Sequence, residues 1–197
     1  MIGKYLLAGA ATLALATTAL AQPGPGPMPQ NGPPPMGPGM MPDGHMRDGA
    51  MHDGMTMDFV TKASQSDEFE RREGRIAQQK ASNPMVRDFA GHMVMAHTQT
   101  TRGLKMAIRD AGMAPPPPPM LTDDQKHMIH DLMHRNGGDF DRAYLDQQIH
   151  AHEQALQLMQ GYGMNGHPGP IKDAANKTAP LVQQHLDMAH RLRGQLG

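Results

Sequence analysis

The chain has no cysteine and no tryptophan, and aromatic residues make up only 4% of its 197 residues. Without cysteine there is no disulfide and no thiolate metal site, so methionine is the one soft ligand available. β-Branched residues are also scarce. After residue 21 only nine positions are Val or Ile, and strands favour β-branched and aromatic side chains, so a β-fold is not expected. Nor is there an excess of either charge. Eighteen Lys and Arg stand against 19 Asp and Glu, a formal net charge of -1. That balance leaves no electrostatic footprint for nucleic acid or anionic lipid. No nucleophile with its base, phosphate loop or nucleotide fingerprint occurs either. What the chain has in quantity is Met (20), Gly (22), Pro (18) and His (12).

The N-terminus carries Lys4, an apolar run from Tyr5 to Leu20, and the small-residue triplet Ala19-Leu20-Ala21. This layout predicts a secretory signal peptide over residues 1–21, cleaved near Ala21. The run is shorter than the ~20 apolar residues of a spanning helix, and Pro and Gly follow at once. With no cysteine after the cleavage site, a lipoprotein anchor is not expected. The mature chain then starts at Gln22, in the periplasm or outside the cell.

Residues 22–57 hold nine Pro, eight Gly and eight Met among 36 positions, a composition expected of a disordered tail. Methionine has no solvation reason to be there. Met40, Met41, Met46, Met51, Met55 and Met57 sit with His45 and His52 in Asp-Gly-His-Met and Met-His-Asp-Gly units. Thioethers with imidazole suit Cu(I) or Ag(I), and methionine survives an oxidising compartment better than cysteine. Compositional drift in a linker is the plainer reading.

Helical periodicity runs from Asp58 to about Gly194, and breakers divide it. A first helix is predicted from Asp58 to Ser82, ending at Asn83-Pro84, and a second from Pro84 to about Ala111 before Gly112. Pro115 to Pro119 form an extended connector. Thr122 and Gln125 form a capping box that opens a short helix, which ends before Asn136-Gly137-Gly138. Asp139 can cap the next helix, to about Gly161; a last helix runs from Pro170 to Arg193 with Pro180 as a kink. The expected fold is all-α: a ferritin-like antiparallel four-helix bundle over residues 58–194, with one short extra helix.

At 100° per residue, each long helix turns one metal-capable side chain toward its apolar face. Glu70 falls among Phe59, Ala63, Phe69, Ile76 and Ala77, where Gly74 permits close packing, and Glu73 falls at the edge of that face. His97 lies within the stripe of Val86, Phe89, Ala90, Met93, Leu104, Ile108 and Ala111. His152 lies among Tyr144, Leu145, Ile149, Ala155 and Met159, and His185 among Val182, Leu186 and Ala189. Glu70 precedes the Asn83 turn by 13 residues and His97 follows it by 14, so an antiparallel pair places them at one level. One Glu and three His make a ligand set for Zn, Fe or Cu. A Glu70–His network without metal satisfies the same physics. On the short helix, His127, His130 and His134 share one face as a surface metal candidate. Di-iron oxidases carry Glu-x-x-His motifs, and none occurs here.

The chain resembles the periplasmic ferritin-like family of domain of unknown function 4142, often labelled predicted outer membrane proteins, over roughly residues 58–193. The resemblance lies in Glu70 with Gly74-Arg75-Ile76-Ala77, Lys80-Ala81-Ser82-Asn83-Pro84, Phe89-Ala90, Met93-Val94 and His97-Thr98. It continues through Phe140-Asp141-Arg142-Ala143-Tyr144, His152-Glu153, and Pro180 followed by His185-Leu186. It implies a ferritin-like bundle and no established reaction. The family commonly has Asp before the histidines at 97 and 152, where this chain has Ala96 and Ala151. An outer-membrane barrel would need alternating strands, which the residues do not show.

Taken together, these features predict a non-catalytic periplasmic protein that binds or buffers a transition metal, with copper best matched to the tail. The alternative is a structural or stress-related envelope protein whose core histidines bind no metal. A ferritin-like redox enzyme using Glu70, His97, His152 and His185 is a third reading.

Overall fold

The computed structural model describes residues 44–167 and 169–197, with side chains from His52 onward. Residues 42–197 form one compact unit. Its elements are α1 (Gly44–Lys80), α2 (Pro84–Asp110), α3 (Asp123–Met133), α4 (Gly137–Asn165) and α5 (Pro170–Gln195). The four long helices pack as an antiparallel bundle. α1 pairs most extensively with α2, and α4 with α5. Among the described residues no helix is long and apolar enough to cross a membrane.

The breaks fall where the sequence places them. Asn83 caps α2 through Oδ1, which accepts from the Met85 N–H at 2.8 Å, and Pro84 follows at the position that needs no donor. An unforeseen buried carboxylate holds the same turn from across the bundle. Asp141 of α4 accepts from the backbone N–H groups of Ser82 (3.0 Å) and Asn83 (2.9 Å), and from the Ser82 hydroxyl. Thr122 and Gln125 form the expected capping box, and α3 buries Leu132 completely. One detail differs. Asn136, not Asp139, is the residue before α4; Gly137 takes a positive φ of 55°, and Asp139 pairs with Arg142 in the first turn. Pro180 lies exposed inside α5, as the sequence places it.

α1 starts at Gly44 and not near Asp58, so residues 44–57 are helical and the expected tail of residues 22–57 gives way to helix at that point. Tertiary contacts hold the last turn of this extension. Thr56 is 8% exposed and its hydroxyl hydrogen-bonds Tyr162 Oη at 2.8 Å, while the Phe59 and Tyr162 rings stack 4.1 Å apart. The predicted signal peptide and residues 22–43 lie outside the described residues.

Two apolar clusters make up most of the core. One holds Phe59, Val60, Leu104, Ile108, Met159, Tyr162 and Val182. The other holds Val86, Phe89, Met93, Phe140, Tyr144, Leu145 and Ala189. On every long helix the residues of the two clusters are separated by a buried polar stretch: Asp67 to Glu73, His97, Gln148 to His152, and His185. The bundle is therefore apolar at both ends and polar in one middle layer. α1 and α2 approach closely there, because a Cβ on Gly74 would stand 2.7 Å from Val94 Cγ2 and 3.1 Å from the Ala90 carbonyl.

Candidate metal centre

The four predicted core residues meet in that middle layer. Glu70 and His152 are 0% exposed, His97 3% and His185 5%. The three imidazoles form a nearly equilateral triangle, with ring centroids 5.5 Å (His97–His152), 5.7 Å (His97–His185) and 5.5 Å (His152–His185) apart. One ring nitrogen from each lies within 4.8 Å of the other two. Glu70 Oε2 stands 3.1 Å from His97 Nε2 and 3.2 Å from His152 Nδ1.

Hydrogen bonds orient these rings. His97 Nδ1 lies 2.9 Å from Asp67 Oδ1, which also accepts from Thr100 Oγ1, while Asp67 Oδ2 accepts from Thr101 Oγ1. His152 Nδ1 donates to the Gln148 carbonyl at 2.8 Å. With Nδ1 of both rings engaged, Nε2 of each is the atom that could hold an ion, as where a carboxylate or carbonyl orients a metal-binding imidazole. His97 Nε2 and Glu70 Oε2 face each other as an ion pair at 3.1 Å. His152 Nε2 and His185 Nδ1 are buried and find no hydrogen-bond partner among the described residues, which a bundle core rarely tolerates.

The electrostatics separate the histidines. Burial works to raise the Glu70 carboxyl, but His152 and His97 outweigh it and hold the group at about 2. Burial works to lower His97, but Glu70 and Asp67 push it up to about 10. Burial lowers His152 despite Glu70, and lowers His185 to about 3 with help from its two histidine neighbours. At neutral pH the layer thus holds one imidazolium between two carboxylates, beside two neutral imidazoles with free lone pairs.

Two residues of this layer escape helical-wheel reasoning or are misplaced by it. Asp67 is the partner of His97, and a carboxylate at every third position (Asp67, Glu70, Glu73) was the available signal. Glu73 is fully buried, not at the edge of its face, and accepts from Gln148 Nε2 at 3.0 Å. Burial holds its carboxyl well above the usual range, and the Glu70 charge adds to this. Tyr144 is buried as expected, but its hydroxyl has no partner among the described residues.

The other candidates are not gathered in this way. His127, His130 and His134 are exposed. The His130 and His134 rings lie 4.3 Å apart, with His134 Nδ1 donating to the His130 carbonyl. Among the described residues only His97, His152 and His185 form a group of three close enough for one ion. Seven residues of helix separate His127 from His134 by about 10 Å along the axis, which keeps the α3 set apart. Met40 and Met41 lie outside the described residues, as do the side chains of His45, Met46 and Met51. His52, Met55 and Met57 are exposed on α1, and the His52 ring lies 5.3 Å from His167.

A family model described as a domain of unknown function, DUF4142, matches residues 41–192. None of the curated proteins matches the chain. Among solved structures, a DUF305 protein from Streptomyces coelicolor, described as secreted, is similar over 73% of this chain and 94% of its own. The TM-score is 0.60 at 15% identity, a likeness that shows the fold alone.

Proposed function

The chain belongs to the DUF4142 family, and we propose that this member binds or buffers one transition-metal ion in the middle layer of its bundle, without catalytic turnover. The ligands are His97, His152 and His185, with Glu70 as the fourth. The observation that carries this reading is that three buried imidazoles each bring a ring nitrogen within 4.8 Å of the other two, with His152 Nε2 and His185 Nδ1 lacking a hydrogen-bond partner among the described residues. Leaving polar atoms unpaired costs roughly 1–3 kcal/mol each, and one bound ion satisfies them together. Imidazole with carboxylate suits Cu(II), Zn or Fe. Copper is the assignment that also gives the Met- and His-rich stretch from Met40 to Met57, which runs into α1, a role as a soft-ligand collector. The protein works in the periplasm, or outside the cell, once the signal peptide is removed near Ala21.

The test is the metal content of the mature chain, as isolated and after loading with copper, zinc or iron, compared with a chain that begins at Gly44 and so keeps α1 whole. The expected result is about one equivalent in both forms, lost in His185→Ala. No metal in either form after loading would overturn it.

One observation favours a structural reading in its place. Asp67, His97 and Glu70 already form a charge-compensated chain without metal. On that reading the layer fixes helix register, the protein is a structural envelope component, and loading fails.

A further inference from the structure

One side of the buried centre carries an unassigned histidine. Glu70 and His152, on α1 and α4, are wholly enclosed; among the candidate ligands the small exposure belongs to His97 on α2 and His185 on α5. These two helices meet along one of the less extensively packed seams. At that seam the exposed His92 of α2 sets its ring 5.3 Å from the His185 ring, edge-on at 88°. On the other side of its ring His92 lines a surface groove of about 460 Å³ on the outer face of α2, bounded by Gln78 of α1 and by Arg87, Asp88 and Met95. Asp88, His92 and Met95 follow at i, i+4 and i+7, which places carboxylate, imidazole and thioether on one helical face. Met95 is 62% exposed. In a monomer such exposure brings no packing gain, while a thioether beside an imidazole is a competent ligand pair for a transition metal.

We propose that His92 is the access ligand of the core centre: an ion held at the groove by His92, with Asp88 and Met95 beside it, passes to His185 and then joins His97 and His152. This rests on the core site proposed above. Ring contacts run without a break from His92 through His185 to His97 and His152. The orphaned Nδ1 of His185 offers a lone pair for the transfer. Along this route the ion exchanges one imidazole for the next and is never left without a ligand.

The experiment is stopped-flow loading of the metal-free mature chain with Co(II), whose visible absorption reports nitrogen coordination, followed by titration to equilibrium. Wild type is compared with His92→Ala, His92→Phe and His185→Ala, each checked for helical content and melting temperature. The expected result is loading slowed about tenfold or more in both His92 variants, with final spectrum and stoichiometry unchanged, and stoichiometry lost in His185→Ala. Equal loading rates in His92→Ala and wild type would overturn the access role while leaving the core site standing. Fast loading in His92→Phe alone would assign the effect to ring packing and also overturn it. Lower final occupancy in His92→Ala would make His92 a permanent ligand, against the proposal. Absence of Co(II) binding by the wild type would remove the core site itself, and this inference with it.

Discussion

Replacing Glu70 by glutamine tests the middle layer most directly, because it removes one charge and almost no volume. Held at about 2 in place of its ordinary 4.5, the carboxylate contributes roughly 3 kcal/mol to folding, at about 1.36 kcal/mol for each tenfold change in proton affinity. Losing one partner of a buried pair costs about 3–5 kcal/mol by a separate route, so the two figures agree. For a chain of this size each kcal/mol is about 2–4 °C of melting temperature, so metal-free Glu70→Gln should melt roughly 6–12 °C below wild type. The effect is tied to pH. A depressed carboxyl stabilises above 4.5 and loses that contribution as pH falls through about 2. His97, raised from 6.5 to about 10, stabilises fully below 6.5 and loses its contribution as pH rises through about 10. Below 6.5 the depressed His152 and His185 take stability away, because the unfolded chain binds their protons first. Metal-free wild type should therefore be most stable near pH 6.5, and Glu70→Gln should lose the part of the acid-side fall that lies below 4.5. The assay is thermal unfolding by circular dichroism in chelator, from pH 3 to 10. A variant that melts with or above wild type near pH 6.5 would refute the reasoning, since the buried pair would then contribute nothing net.

Three further outcomes follow from the same geometry. Asp67→Asn should lower metal affinity about 10–100-fold at unchanged stoichiometry, measured by competition against a chromogenic chelator, because Asp67 orients His97; an unchanged affinity counts against that role. Metal affinity should rise about tenfold per pH unit between neutrality and about pH 9. Only His97, near 10, has a proton to release there, while His152 and His185 are already neutral; a slope of two or three protons would contradict this. Gly74→Ala should destabilise by about 1–3 kcal/mol despite the better helix propensity of alanine, because its Cβ meets Val94 at 2.7 Å. Adding Val94→Ala should recover part of the loss, and equal stability of Gly74→Ala and wild type would show that the helices separate freely.

The helices and their breaks could be read from sequence because the signals are local: Asn83-Pro84, the Thr122–Gln125 capping box and Pro170 act within a turn of their own position. So could the four inward-facing residues Glu70, His97, His152 and His185, since helical periodicity alone orients a side chain relative to its apolar neighbours. Periodicity is silent about what lies across the bundle. Asp67 meeting His97, Asp141 holding the Asn83 turn and Gln148 reaching Glu73 are contacts between residues 30, 58 and 75 positions apart. Only packing could create them. The same applies to α1 at Thr56 and Phe59, which meet Tyr162 on another helix just past a Gly- and Met-rich stretch. Sequence alone therefore determined where helices form and which face turns inward, both properties of residues within a few positions of one another. Tertiary structure decided which inward groups touch, which carry charge and which are left unpaired, because those depend on distances across the core.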